Sequence, residues 1–343
     1  MTSSAPTGAG FNIFSIHVGM DRVGDTYPAN FNWSLRGCEK DARTMRQVIL
    51  DRCGDRLPVE PIILTNESAR VADLKAEFLD VAALAKPGDL VFFTFSGHGA
   101  WIRALPGTAT TGLPSEATGY SKPLWLHPTI LLYDRMMMDD EWSAVWTAFV
   151  EGVRVVTMFD SCVSGTVAIG NFINNAFEKV WNAFREAHDV VDAALRDSRK
   201  PDLSTLEKPP ESNIQIKDEE RWPRTSPLEA IKEAYHEFRA LYDSIEKKFS
   251  VPVKYHVIGL HYGACQDSQV AEEGPRGGYF TLAVQDILRE APMTFSYQQL
   301  FDALQQRLDD EGLKQTPTMV PFGIAAKDLT QQPIFGANSA PLT

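Results

Sequence analysis

GVRVVTMFDSCVSG, residues 152–165, is the stretch on which the reading of the fold turns. Val153, Val155 and Val156 lead a short apolar run through Met158 and Phe159. A run of that length, rich in β-branched residues, reads as a strand buried on both faces, as in a parallel sheet. It stops abruptly at Asp160, Ser161, Cys162, Val163, Ser164 and Gly165. Small and polar residues directly after such a strand put Cys162 at the carboxyl-terminal edge of the sheet, where open α/β sheets hold their ligands.

A second strand stops in the same way. DLVFFTF, residues 89–95, is followed by Ser96, Gly97, His98 and Gly99. Two parallel strands ending like this bring a thiol and an imidazole to one rim. A lone cysteine after a strand is usually a small core residue. The coincidence of both endings favours a nucleophilic Cys162 with His98 as its base.

Outward from these strands the pattern alternates. Residues 11–19 read as the first strand, with His17 packed inside it. Residues 37–53 carry a helical pattern with Ala42, Met45, Val48 and Ile49 on one face, and residues 71–85 a second with Leu74, Phe78, Val81 and Leu84 inward; a strand at 60–65 lies between. Cys38 and Asp41 stand three apart at the start of the first helix, hence on one side of it, where a carboxylate suits the helix dipole. Strand, helix, strand, helix, strand predicts a parallel sheet with right-handed crossovers.

Residues 100–128 fit neither period, and a loop that long beside a candidate site is more often functional than filler. Its Trp101, Tyr120 and Trp125 either contact substrate or anchor the loop. A short strand follows at 129–133, and Asp139, Asp140 and Glu141 open a helix that ends near residue 150. After Gly165 the sheet pattern pauses. Residues 171–198 read as a helix, 199–227 as a polar, proline-containing exposed linker, and 226–248 as a helix begun by Ser226 as N-cap and Pro227 at N1. The expectation is a helical insertion over 166–252 between two core strands. Residues 255–265 resume the sheet, 280–290 and 296–308 are helical, and 318–324 form a last strand. Residues 1–10 and 331–343 read as tails of a domain spanning 11–330.

The 343-residue length allows a large core. Hydrophobic and charged contents of 44% and 23% are those of an ordinary globular chain. A net charge of −12 argues against nucleic acid as a partner, because phosphate binding needs clustered Lys and Arg. Cys38, Cys53, Cys162 and Cys265 lack metal-ligand spacing and fit free thiols in a reducing compartment. The first ten residues lack the basic start and apolar centre of a secretory signal, and no apolar run reaches membrane-spanning length. A cytoplasmic location away from membranes is expected.

Together the motifs resemble the caspase-like cysteine peptidases, most closely the metacaspases and their bacterial relatives. SGHG (96–99) and DSCVSG (160–165) match the family's histidine and cysteine motifs in order. LRGCEKDARTM (35–45) resembles its GC-x-x-DA helix start, Tyr133-Asp134 with Asp139-Asp140-Glu141 its acidic segment, and GACQDSQVAEE (263–273) the loop opening its small-subunit half. The resemblance covers roughly residues 11–162 and 254–324. It implies an α/β three-layer sandwich, a mostly parallel six-stranded sheet flanked by helices, here with the helical insertion added.

The same resemblance implies Cys162 as nucleophile, His98 as general base and acid, and the backbone N–H groups of Gly99 and Cys162 as oxyanion hole, with no third triad member. It implies a primary pocket from Cys38, Asp41, Ser96 and Asp160 that grips Arg or Lys. Two carboxylates there bind a cation by charge-assisted bonds and reject an acidic side chain. The expected activity is an endopeptidase cleaving after Arg or Lys in a peptide or protein substrate, regulated by self-cleavage, a ligand or a partner protein. The Q-A-C-[RQG]-G signature of animal caspases is absent, so cleavage after Asp is not expected. Competing readings are a legumain-like or gingipain-like peptidase of other preference, and a catalytically weak signalling module; the intact His98 and Cys162 motifs count against the module. A role in stress, cell death or immunity rests on family analogy alone.

Two departures stand out. Metacaspases often hold calcium with several aspartates, and Asp139 and Asp140 match part of that set, but residues 100–128 offer only Glu116, and Ile169 and Gly170 stand where another acid is expected. Calcium takes six to eight oxygens, so no cofactor is expected, and Asp139 and Asp140 read as helix-capping acids. The insertion is also large, and Arg196, Arg199, Lys200, Lys208, Lys217, Arg221 and Arg224 lie in or near its exposed middle as candidate self-cleavage sites. Cys265 reads as a buried strand-end residue.

Overall fold

The computed structural model describes residues 10–103, 126–162, 221–224, 226, 228–248, 255–266, 269–324 and 326–336. Strands β1 (Ile13–Gly19), β2 (Ile62–Thr65) and β3 (Leu90–Ser96) alternate with helices α1 (Cys38–Cys53) and α2 (Val71–Leu84). Strands β4 (Gly99–Arg103), β5 (Leu126–Leu131) and β6 (Met136–Met138), helix α3 (Asp139–Thr147) and strand β7 (Arg154–Asp160) follow. Then come β8 (Trp222–Pro223), α4 (Leu228–Glu237), α5 (Arg239–Lys248) and β9 (Ile258–Gly263). The chain continues through β10 (Glu272–Gly274), β11 (Gly277–Gly278), α6 (Tyr279–Glu290), α7 (Tyr297–Asp310) and β12 (Thr318–Gly323).

Six strands form the central sheet in the order β2-β1-β3-β7-β9-β12, parallel throughout except for β12, which runs antiparallel to β9. The α/β class and the mostly parallel six-stranded sheet agree with the expectation. Burial on both faces explains the near-continuous apolar runs. In β3, Leu90 and Phe92 face the side covered by α1, α6 and α7, with Met45, Val284 and Leu304 among their neighbours. Val91, Phe93 and Phe95 face the other side, where α2 and α3 supply Phe78, Trp142 and Trp146. Trp142 and Trp146 stack at 5.3 Å between ring centroids on α3, and their rings meet Phe93, Phe159 and Phe322 of the sheet.

The acid that closes the start of α3 is Glu141. Its Oε2 accepts from the Met138 N–H at 3.0 Å, and Arg135 clamps it in a two-point pair at 2.8 and 2.9 Å. Asp139 turns inward instead, its Oδ1 accepting from the Asp140 N–H at 2.9 Å. Glu141, at the third helical position, closes the capping box, and Asp139 and Asp140 stand with it in the acidic first turn.

Four expectations differ from the fold. Of the stretch read as a loop, residues 100–103 and 126–128 lie in strands. β4 and β5 pair antiparallel and β6 joins them in a small second sheet. The 226–248 helix is two helices broken at Phe238, and Ile231, Ala234 and Tyr242 press against this small sheet beside Leu131 and Met136. The 331–343 tail begins later, since Ile334 and Phe335 are buried and Tyr297 donates to the Ile334 oxygen at 2.9 Å. The linker expected to be exposed to residue 227 contributes β8, which adds to the edge of β10. The 171–198 helix, Tyr120, Trp125, and the basic residues Arg196, Arg199, Lys200, Lys208 and Lys217 lie outside the described residues. No helix among the described residues is long and apolar enough to cross a membrane.

Candidate active site

The register of the sheet builds the site. Gly19 pairs with Ser96, and Ser96 with Asp160, so β1, β3 and β7 end level with one another. His98 and Cys162 each follow two residues beyond those ends and share the rim. Gly99 lets the two loops meet: a Cβ there would stand 1.9 Å from the Cys162 backbone oxygen. No side chain fits in that space.

His98 and Cys162 are both withdrawn from water, each being 4% exposed. His98 Nε2 lies 3.1 Å from the Trp33 backbone oxygen. A carbonyl only accepts, so Nε2 carries the proton and Nδ1 keeps its lone pair. Among the described residues Nδ1 has no hydrogen-bond partner. The Trp33 ring stands edge-on to the imidazole, 6.4 Å away. The Trp33 carbonyl thus fixes the orientation of the imidazole ring. It was missed in the sequence because a backbone carbonyl carries no residue signature.

Burial pushes the His98 pKa down to about 4, against the hydrogen bond to the Trp33 backbone oxygen. Burial pushes the Cys162 thiol well up, Cys265 adds to the rise and the Ala271 backbone opposes it. Both causes favour the uncharged pair, thiol and neutral imidazole, over a preformed thiolate and imidazolium. Cys265 is fully buried and its Sγ faces the Ser161 and Gln269 backbone oxygens.

Beside the rim lies an acidic pocket, and the chain's own Arg224 fills it. Arg224 Nη2 stands 2.7 Å from Asp41 Oδ2 and 3.3 Å from Glu273 Oε2. Nη1 stands 3.0 Å from Asp160 Oδ1 and donates to Ser96 Oγ at 2.7 Å and to the Asp160 backbone oxygen at 2.8 Å. Arg224, read as part of an exposed linker, is 0% exposed. Such burial is tolerable only because three acids surround one guanidinium. Burial works against its charge, but Asp160, Asp41 and Glu273 outweigh that and raise its pKa further.

The pocket brings together the four residues named from the sequence and adds others. Cys38 is fully buried, 4.0 Å from Glu273 Oε2. Ser96 Oγ donates to Asp41 Oδ2 at 2.7 Å, while Thr281 fixes Asp160 through its N–H at 2.9 Å and its hydroxyl at 2.8 Å. The Gly278 N–H reaches both Asp41 oxygens at 3.1 and 3.2 Å. Gly277 makes this possible with φ +135°, and a Cβ there would strike Asp41 Oδ1 at 2.1 Å. Burial pushes Asp41 up to about 7, with Asp160 adding to the rise and Arg224 pulling it down. Burial likewise raises Glu273, against Arg224. Glu273 stands in the GACQDSQVAEE stretch; an acid closing a loop beside a cation pocket was the available signal.

The segment carrying Arg224 is held as a strand. Trp222 pairs with Glu273 and Pro223 with Glu272 antiparallel, and the Arg224 N–H donates to the Ala271 oxygen at 2.9 Å. Main-chain pairing of this kind is how sheet edges grip extended peptides. Asp139 and Asp140 are buried at the start of α3, away from this pocket's hydrogen bonds. Among the described residues no group of three or more His, Cys, Asp or Glu could hold a metal ion.

The family model described as the caspase domain matches residues 23–325. Metacaspase-1 of Candida glabrata is 27% identical over 152 residues, 42% of this chain and 36% of that protein. Metacaspase-1 of Schizosaccharomyces pombe is 29% identical over 138 residues, 38% of this chain and 30% of that protein. The chain thus spans about a third of the length of these relatives. A Geobacter sulfurreducens protein of known crystal structure superposes with a TM-score of 0.65 at 22% identity, covering 95% of this chain and 99% of that one; it shares the fold.

Proposed function

The chain belongs to the caspase-domain family, and from that premise we propose that it is a cysteine endopeptidase cleaving after Arg or Lys, its first substrate being its own segment ending at Arg224. One observation carries this reading: a guanidinium shut in among Asp41, Asp160 and Glu273, beside the strand ends that His98 and Cys162 follow. A substrate's basic side chain seated there would bring the bond on its carboxyl side to the rim shared by His98 and Cys162.

The reaction follows from the groups present. His98 Nδ1 takes the Cys162 proton as Sγ attacks the carbonyl carbon. The oxyanion is held by the Gly99 and Cys162 N–H groups, each worth about 3 kcal/mol. The C–N bond breaks as the Nδ1 proton passes to the leaving amine, and a thioester remains. Water then attacks that thioester while Nδ1 accepts its proton; the proton returns to sulfur, and the acid product leaves. Trp33 holds Nε2–H throughout, so the same nitrogen serves as base and acid. The docked 221–224 segment keeps other substrates out until it is cut, which makes self-cleavage the regulatory step.

The test uses reporters ending in Arg, Lys, Asn and Asp, with wild type and Cys162→Ala, with and without calcium. Cleavage of the Arg and Lys reporters by wild type alone is expected. Cleavage after Asn or Asp instead would refute the pocket assignment. Equal turnover by Cys162→Ala would refute the mechanism, and no turnover of any reporter after the 221–224 segment is cut would favour the binding module.

A further inference from the structure

The docked segment touches the groove at a second place that the primary pocket does not explain. Arg221 lies three residues before Arg224, and three contacts of different kinds meet at its guanidinium. Nη1 stands 3.6 Å from Glu272 Oε2, the carbon of the guanidinium lies 5.4 Å from the centroid of the Tyr279 ring, and Nη2 donates to the Glu311 backbone oxygen at 3.4 Å. The Arg221 side chain keeps only 21% of its exposure, and Glu272 29%. An arginine with no role in docking would extend into water.

Resting on the peptidase reading for the identity of the groove, we propose that Glu272, Tyr279 and the Glu311 carbonyl form a second cation subsite. It selects Arg or Lys three residues before the residue at the cleavage position. Register makes this a property of the groove and not of one segment. The pairs Trp222 with Glu273 and Pro223 with Glu272, and the Arg224 N–H on the Ala271 oxygen, are main-chain contacts. Any extended peptide seated by them, with its basic residue in the primary pocket, delivers the side chain three residues earlier to Glu272. Glu272 is fixed there by its own N–H, which donates to Gln315 Oε1 at 2.9 Å.

The two subsites differ in kind. The Arg224 pocket is closed to water and decides whether a peptide binds. The Arg221 subsite is only partly open, so its ion pair is weakened by salt, though less than a fully exposed pair, and its aromatic contact is with the buried Tyr279 ring. It grades peptides that the first pocket has already accepted. A substrate with two basic residues spaced three apart is the class that satisfies both.

Binding tests this without requiring turnover. The full chain carrying Cys162→Ala and Arg224→Ala has neither the nucleophile nor the arginine that fills the pocket. It is titrated by fluorescence anisotropy with Arg-Trp-Pro-Arg amide, labelled through an amino-terminal spacer. The comparison peptide carries citrulline, neutral and of the same shape, in place of the first arginine. The arginine peptide is expected to bind about three- to tenfold more tightly. That ratio should shrink at high salt and approach unity when Glu272→Gln is added. Equal binding of the two peptides, binding of neither, or a ratio unchanged by Glu272→Gln overturns the inference. Because citrulline is placed in the peptide, the comparison stands even where Glu272→Gln misfolds. A wild-type chain that cuts nothing while this ratio holds refutes the peptidase reading and leaves the subsite intact.

Discussion

Arg224 Nη2 and Asp41 Oδ2 stand 2.7 Å apart, with side-chain exposures of 0% and 2%. Removing one charge from such a pair strands the other, which usually costs more than the pair contributes. Here the stranded partner can leave, because Arg224 sits on a short strand held by few main-chain bonds. Asp41→Asn should therefore release the 221–224 segment and leave the sheet folded. Limited proteolysis is expected to nick this segment sooner in the variant. Turnover of Arg reporters should fall by about 2–5 kcal/mol of transition-state binding, roughly thirty- to several-thousand-fold. Wild-type kinetics in Asp41→Asn would remove Asp41 from the pocket's function.

Arg224→Gln separates seating from sequence. The amide keeps length and some hydrogen bonding but loses the charge that three acids demand. Intact-mass analysis should find no cut at position 224 in this variant, whereas Arg224→Lys retains it. Because the pocket is no longer filled, initial rates on a small Arg reporter should exceed those of uncut wild type. A cut after position 224 at the wild-type rate in Arg224→Gln would show that the buried guanidinium does not direct cleavage.

Gly99→Ala addresses the oxyanion hole. The new Cβ would stand 1.9 Å from the Cys162 oxygen and 3.2 Å from Ser161 Oγ; the first is backbone, which cannot swing away. The loops must part, carrying the Gly99 N–H off its line to the oxyanion. Losing one such donor lowers kcat by about a hundred- to a thousandfold. Single-turnover rates on an Arg reporter, beside an unchanged circular-dichroism spectrum, check this. A kcat within threefold of wild type, roughly 0.7 kcal/mol, would place the oxyanion elsewhere.

The parts of this site that were legible in the sequence are those encoded by one strand at a time. The apolar run from Leu90 to Phe95 and the one from Val153 to Phe159 each announce a buried strand, and the polar residues closing them announce the rim. The seat of Arg224 was hidden because it is a counter-ion relationship. Its acids come from α1, the end of β7 and β10, Asp41 lying 183 residues from Arg224 in sequence and Glu273 49, and a polar, proline-containing linker gives no sign of which arginine they will take. β8 and β4 are edge strands of two and five residues, too short for a period to show. Their places are set by the sheet edges they join, which is tertiary information.

Acid should loosen the fold through its buried histidines. His17 is fully buried in β1, with Nδ1 2.8 Å from Thr94 Oγ1. Burial, helped by Arg46, lowers its pKa to about 3, against about 6.5 unfolded. The neutral ring thus contributes stability that is whole above about pH 6.5 and drains away as pH falls toward 3. His98, at about 4, acts in the same direction. Asp41 acts oppositely: raised to about 7, it favours the fold below its unfolded value and loses that contribution as pH rises through 7. Between about pH 6 and 4 the contribution of His17 alone falls by about 1.4 kcal/mol for each unit of acidification. His17→Asn isolates one histidine. Urea unfolding of wild type and variant across that range should give stabilities that converge by about 1.4 kcal/mol for each unit of acidification. Parallel curves would mean that His17 takes up its proton in the folded chain as readily as in the unfolded one.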